Sequence, residues 1–358
     1  MTSAPTQPAS VQPTSIAPVN IQDVARAAGV SPASISNYLN GRQDRMRADT
    51  RARIQQAIET LGYKPNAAAR QLKTGHSPMV GLLVPTVANP FFGELAVAVE
   101  RAAQEADLHV ILCNTLRDPA REHQFAEELA AYGVRGLITA STLVDNETMA
   151  GLAQRGIVRV SFDALSDGDS VTLDNPAASA MAVAHLAGLG HRRIAYATGP
   201  TGTFNRAARF DGFKAEAERL GLTEAVVLVE DTSRSDSVFG DTDLPELGRR
   251  LARRIAAATP RPTAVLAVND MTALGILAEL RVLGLRVPED VSVVGIDDIG
   301  LATLLHPALT TIRQPLARMA ETAIGRLAVR LAGDTGPGTR TVFPPELVVR
   351  ASSGPLLS

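Results

Sequence analysis

The chain predicts a small all-α helix-turn-helix head followed by a larger α/β body of two doubly wound parallel-sheet lobes. Three observations carry this. The stretch DVARAAGVSPASISNYLNG, from Asp23 to Gly41, reads as two short helices broken by a Gly-Val-Ser turn. From Val80 onward, apolar runs alternate with helical patterns, as in parallel sheets covered on both faces. Charge is also unevenly divided. Residues 1–75 hold nine Arg and Lys against four acids, a net of +5, so a chain of −2 overall leaves −7 for the rest. A basic module tied to an acidic body suits a module that meets a polyanion.

With 358 residues the chain exceeds one typical domain. Residues 1–18, MTSAPTQPASVQPTSIAP, carry no charge and are rich in Pro, Ser, Thr and Gln. They lack the basic start and apolar centre of a secretion signal and are expected to be a disordered tail. No apolar run is long enough to span a bilayer. The single Cys113 lies in an apolar run and is expected to be a structural thiol in a reducing cytoplasm.

The head is expected over 19–64. Asn20 is a good N-cap for a helix from Ile21, and Gly29 stands where a left-handed C-terminal residue belongs. Ser31 followed by Pro32 is a second start signal. Val24, Ala28 and Val30, with Ile35 and Leu39, supply one apolar side. A third helix is expected after Asp49-Thr50, with Ile54, Ala57, Ile58 and Leu61 as its stripe and Gly62 as its end. Ser34, Ser36 and Asn37 fall off the core side of the second helix. In a helix-turn-helix that helix enters the DNA major groove by its N-terminal end. The residues alone leave an ordinary three-helix bundle open.

In the body, the strand candidates are VGLLVP, LHVILCN, GLITA, IVRVSFD, SVTLDN, RIAYATG, AVVLVE, AVLAVND and VSVVGIDD. These are too many for one sheet and predict two lobes. Several end in polar residues, at Asp163, at Asn269-Asp270 and at Asp297-Asp298, where ligands of such sheets bind. No strand leads into GxGxxG, and no GxxxxGK[ST] loop exists. The six His lack metal-ligand spacing, and no nucleophile elbow stands out. No catalysis, metal or cofactor is expected; binding is.

The segments IQDVARAAGVSPASISNYLNG, TRARIQQAIETLGYKPNAAARQLKTG, VGLLVPTVANPFFGELAVAVERAAQEA, HLAGLGHRRIAYATGP, AVLAVNDMTALGIL, VSVVGIDDIG and HPALTTIRQP resemble the LacI family of bacterial transcription regulators, in that family's order. The resemblance implies a repressor that binds a palindromic double-stranded DNA operator as a homodimer. It implies that Ser31, Ser34, Ser36, Asn40 and Thr50 hold backbone phosphates, while Pro32, Ala33 and Asn37 touch base edges. Chemically, Asn37 suits an adenine and the two apolar residues suit a thymine methyl. Residues 65–78 correspond to the hinge helix and linker, with Asn66, Ala69 and Arg70 on DNA and Leu72 as a minor-groove wedge.

The remainder, 79–358, is similar to periplasmic sugar-binding proteins. Its lobes are expected at about 79–175 with 314–340, and about 176–313 with 341–358, with crossings near Asn175, Arg313 and Arg340. Carried over, Asp163, Arg209, Asn269 and Asp297 are the polar effector contacts, with Phe91 or Phe92 stacking on an apolar ring face and Thr86 nearby. Carboxylates, an amide and a guanidinium match a polyhydroxylated ligand, so a sugar or sugar derivative leads and a nucleobase or nucleoside follows. The sequence departs from the family in the GRQDRMRAD loop, at Ala164 where many members have Arg, at Thr86 where an Asp is common, and in SRSDSVFGDTDL. Without the Leu heptads of tetrameric members, a dimer is expected, using the helix at 91–104. The competing reading is a periplasmic sugar-binding protein without DNA function, which has no use for residues 20–73.

Overall fold

The structure, a computed structural model, describes residues 19–42, 46–64, 77–140, 151–162, 168–222, 225–229 and 243–356. The chain divides into two compact units, Met1–Gly75 and His76–Ser358.

The first unit contains α1 (Ile21–Ala28), α2 (Pro32–Leu39) and α3 (Ala48–Leu61). Asn20 accepts from Gln22 N and Asp23 N, and the Asp23 carboxylate in turn accepts from Asn20 N, a reciprocal box that fixes the start of α1. Gly29 at φ 63° and Gly62 at φ 58° end α1 and α3 in the left-handed region. Val24, Ala28, Ile35, Ile54 and Ala57 form the core, with Val30, Tyr38, Leu39, Ile58, Leu61 and Tyr63 packed around it. The third helix begins earlier than expected. Arg47 is its N-cap without a side-chain bond, and Asp49 lies inside the first turn, where its charge favours the helix dipole.

The second unit holds two six-stranded sheets. In the first, β1 (Met79–Val84) lies between β2 (His109–Asn114) and β3 (Gly136–Ala140), and the sheet continues through β4 (Val158–Phe162) and β5 (Asp169–Leu173) to Arg340–Phe343, all parallel. In the second, β6 (Ile194–Thr198) lies between β7 (Val226–Val229) and β8 (Ala264–Ala267). That sheet continues through β9 (Ser292–Asp297) and β10 (Thr310–Arg313); with Arg340–Phe343 as β11, its last member is β12 (Glu346–Val348), antiparallel to β10.

Each sheet is covered on both faces. Helices Pro90–Glu105 and Leu316–Leu331 close one face of the first around Leu82, Leu95, Ile138, Val160 and Leu327. Helix Pro119–Ala131 covers the other around Leu83, Cys113, Leu129 and Leu137. Burial, with the charge of Glu128, pushes the Cys113 thiol up to about 11, so it stays protonated. Helices Leu244–Ala257 and Asp270–Val282 pack on one side of the second sheet, and Asn175–Gly188 with Phe204–Arg219 on the other. These pairs approach closely: a Cβ on Gly275 would overlap the carbonyl of Pro245, and one on Gly212 that of Pro176. No described helix is long and apolar enough to cross a membrane.

The chain leaves the first sheet through the helix that starts at Asn175 and returns after Arg313. The third crossing falls between Phe343 and Glu346, not near Arg340, because Arg340–Phe343 extends the first sheet beside Ser170–Leu173. The first lobe therefore reaches Phe343, and the expected boundary at 340/341 moves accordingly.

Candidate DNA-reading helix and effector cleft

In the head, the start of α2 is held by Ser31, whose hydroxyl accepts from Ser34 N (3.2 Å) and lies 3.0 Å from Ser34 Oγ. Ile35 is wholly buried, which turns Pro32, Ala33 and Asn37 outward to solvent. Ser34 and Ser36 are half-buried, as is Thr50 in the first turn of α3. Asn40 is exposed, and its amide closes the end of α2 by donating to the Ser36 carbonyl (2.5 Å) and hydroxyl (3.3 Å). Arg42, Arg47, Arg51 and Lys64 are exposed. Arg26 and Arg53 make long, solvated pairs with Asp23 and Asp49, at 3.4 and 3.5 Å. Asn66, Ala69, Arg70 and Leu72 lie outside the described residues.

In the body, a cleft of about 450 Å³, counted to its open mouth, lies between the lobes. Its wall comes from segments just past the carboxyl ends of strands: Asn89, Phe91 and Phe92 after β1, Arg117 after β2, Thr203, Asn205, Arg206 and Arg209 after β6, Val268 and Asn269 after β8, Asp297 at the end of β9, and Gln314 after β10.

Arg209 organises the wall. Its Nε donates to Asn175 Oδ1 (2.8 Å), its Nη1 to the Val268 carbonyl (2.8 Å), and its Nη2 lies 3.5 Å from Asp297 Oδ1. Gln314 also donates to Asp297 Oδ1, at 2.8 Å. Asn175 donates to Asn205 Oδ1 (3.0 Å), so the first crossing is tied to the helix that carries Arg209. Asn269 caps the next helix by accepting from Thr272 N (2.9 Å), and Asn89 caps Pro90–Glu105 by accepting from Phe91 N (3.1 Å). Phe91 and Phe92 meet edge to face, with centroids 5.1 Å apart.

The two acids at the end of β9 separate in role. Asp297 at φ 137° and Asp298 at φ 56° sit in the left-handed region, a strain of about 1–3 kcal/mol each that surrounding bonds must offset. Asp297 faces the cleft. Asp298 turns away and is clamped by Arg313 Nε (2.6 Å) and Arg350 Nη2 (2.5 Å). Behind them Asp270 is wholly buried and accepts from Thr311 Oγ1 (2.5 Å) and Ile299 N (3.0 Å). Burial, and then the charge of Asp297, pushes its carboxyl up to about 8.

Phe91, Arg209, Asn269 and Asp297 thus come together as expected residues of one cleft. Thr86 stands apart: its buried hydroxyl closes the turn ahead of the helix by accepting from Ala88 N (3.1 Å), and it is not on the described wall. Asp163 lies outside the described residues. Sequence reasoning missed Asn89, Arg117, Thr203, Asn205, Arg206 and Gln314 as lining residues. Of these, Asn205 and Arg206 had a visible signal: they stand four and three residues before the expected Arg209, on one face of the same helix.

The description "Bacterial regulatory proteins, lacI family" matches residues 20–66, and a periplasmic binding protein-like domain matches 183–353. The HTH-type transcriptional regulator PtxS of Pseudomonas aeruginosa is 34% identical over 94% of this chain and 96% of its own length. The Lac repressor dimer bound to operator and the anti-inducer ONPF superposes with a TM-score of 0.82 at 26% identity, covering 94% of this chain and 99% of that one. A LacI family regulator from Enterococcus faecium with bound ribose gives 0.69 at 27% identity, over 78% of this chain and 100% of that one. Similarity of this extent, across both units, establishes that the chain belongs to the lacI family of bacterial regulatory proteins.

Proposed function

We propose that this chain is a transcriptional repressor that binds a palindromic DNA site as a homodimer and answers to a sugar or sugar derivative in the cleft. The family is one of transcriptional regulators. The observation that carries the reading is the first turn of α2. Wholly buried Ile35 anchors it, while Pro32, Ala33 and Asn37 are exposed, as are Arg42, Arg47 and Arg51 of the same unit. That is the surface a recognition helix offers to a major groove.

A two-fold DNA site needs a two-fold protein. An apolar face supports this in the C-terminal lobe: Val282 and Leu304 are 73% and 78% exposed beside a groove lined by Leu274, Leu277 and Leu305. Exposed apolar surface of this kind marks a contact with a protein partner, here a second copy. Val97 on helix Pro90–Glu105 is exposed as well, in keeping with that helix joining the interface. The ligand acts by favouring one angle between the lobes, and with it one spacing of the two heads.

Selection on random duplexes, followed by mobility shift at increasing salt, tests the reading. A palindromic site should emerge, and affinity should fall steeply with salt because several phosphates are contacted. Binding that ignores sequence would end the proposal. Thermal shift against a panel of sugars and nucleosides tests the ligand class.

A further inference from the structure

Resting on that reading of the cleft, we infer that Asp270, which is not on the described wall, is a positioning residue for the ligand: it holds the turn that aims Asp297 into the cleft and ties that turn to the opposite lobe. Asp270 is the first residue of its helix, next to Asn269 of the wall, and is wholly buried. Its carboxyl fits against β9 only because residue 295 is glycine: a Cβ there would stand 2.2 Å from Asp270 Oδ1. From that place it reaches the segment after Asp297 twice. Oδ2 accepts from Ile299 N at 3.0 Å, and Oδ1 lies 2.5 Å from Thr311 Oγ1, which in turn accepts from Asp298 N at 3.3 Å. The two peptide N–H groups that follow the cleft acid are thus held, one directly and one through Thr311. They sit where the backbone is strained, at Asp297 and Asp298. Without these bonds the turn would relax and carry the Asp297 carboxylate away from Arg209 and Gln314.

The same turn is gripped from the other side. The Ile299 side chain is buried in the core of the first lobe with Phe91 and Leu95, and the next N–H, that of Gly300, donates to Glu94 of the first lobe. Consecutive peptides therefore answer to different lobes: Asp298 and Ile299 to Asp270 and its partner Thr311, Gly300 to Glu94. A ligand that shifts Asp297 moves both grips together, and binding in the cleft thereby reaches the angle between the lobes.

Hydrogen exchange of the full-length protein, read residue by residue by electron-transfer fragmentation, tests this without ligand or DNA. Asp270→Ala should speed exchange of the Asp298 and Ile299 amides roughly tenfold or more. It should also speed Gly300, whose own partner is Glu94, while Ile194–Thr198 and Ala264–Ala267 exchange as in the wild type. Asp270→Asn should keep all three amides slow. Burial and the charge of Asp297 raise the carboxyl to about 8, so near neutrality it is protonated and the amide matches it in size and charge. Four results overturn the inference: residues 298–300 unchanged in Asp270→Ala, Gly300 alone unmoved, exchange faster throughout the second sheet, or Asn no better than Ala. Where Asp270→Ala does not fold, Glu94→Ala decides, because coupling is reciprocal. Gly300 then loses its partner, and Ile299, whose partner is intact, should speed up with it; Ile299 unmoved overturns the inference. The underlying reading fails by a different result, a thermal-shift panel without a hit, which leaves these exchange rates as they are.

Discussion

Glu94 and Gly300 join the lobes: the Glu94 carboxylate accepts a 2.7 Å hydrogen bond from the Gly300 N–H. Glu94 lies near the start of helix Pro90–Glu105, and Gly300 opens the 3-10 turn after β9. Between Gly300 and the cleft residue Asp297, Ile299 packs into the core of the first lobe beside Phe91 and Leu95. A ligand that draws on Asp297 therefore draws on this seam three residues away.

Glu94→Ala should loosen the seam without unfolding either lobe. One partly exposed hydrogen bond contributes about 1 kcal/mol, so Tm should fall by only about 2–4 °C. The radius of gyration from solution X-ray scattering should rise as the lobes part. An identical scattering profile for the variant would show that the bond does not restrain them.

Asn37→Ala should relax the selected DNA site at one base pair per half-site, by about 1–3 kcal/mol. The slope of affinity with salt should stay as it is, since no phosphate contact is removed. Side-by-side selection with the two proteins checks this; the same consensus from both excludes Asn37 from reading bases.

Asp270 should favour acid. Its carboxyl titrates at about 8 in the fold, held up by burial and then by Asp297, against about 3.9 in an unfolded chain. The unfolded chain releases its proton first, so the contribution to stability is greatest below about pH 4 and is lost as pH rises toward 8. Asp270→Asn lacks that loss. The variant's Tm should gain on the wild type between pH 5 and pH 8; a constant difference would mean the carboxyl is already ionised.

His191 acts in the opposite sense. Its Nδ1 lies 3.0 Å from Thr263 Oγ1 and its Nε2 3.1 Å from both Ser292 Oγ and the Gly354 carbonyl, fastening the last segment of the chain under the second sheet. Burial holds it below the usual imidazole value. The unfolded chain takes up a proton first on acidification, so this contribution is present above about pH 6.5 and fades below it. The Tm advantage of wild type over His191→Gln should narrow from pH 7.5 to pH 5, and a gap that widens would reverse the assignment.

Gly275→Ala should be severe. Its Cβ would meet the carbonyl and Cα of Pro245, which are backbone and cannot swing aside. The helices Leu244–Ala257 and Asp270–Val282 must then separate, at a cost of about 1–3 kcal/mol or more. Chemical denaturation measures this. Gly284→Ala, with open space around its Cβ but a φ of 74°, should cost about 1 kcal/mol through backbone strain alone.

Most of the first nine strands were legible as near-continuous apolar runs, as burial on both faces demands, although β2 at its sheet's edge is only partly buried and β5 mixes apolar with polar residues. Thr310–Arg313 and Arg340–Phe343 escaped notice, since four residues with polar members carry no period, and only their neighbours make them strands. Asn20, Gly29, Ser31 and Gly62 announced the helix ends by local chemistry that tertiary packing did not override. In the cleft, Arg209, Asn269 and Asp297 came from family resemblance. Arg117 did not, for it follows Leu116 through two left-handed residues, at φ 54° and 52°, that no pattern marks. Nor could sequence divide the labour of Asp297 and Asp298, which is set by the backbone twist between them.

The final stretch of chain serves two masters. After Arg313 it contributes helix Leu316–Leu331 and strand Arg340–Phe343 to one lobe, then strand Glu346–Val348 and the Ser352–Gly354 fastening to the other. Neither lobe is one uninterrupted span, so no single cut yields an intact half. A nonsense mutation shortly after residue 313 would cripple both at once, and dissecting the cleft genetically calls for point substitutions or circular rearrangement in place of truncation.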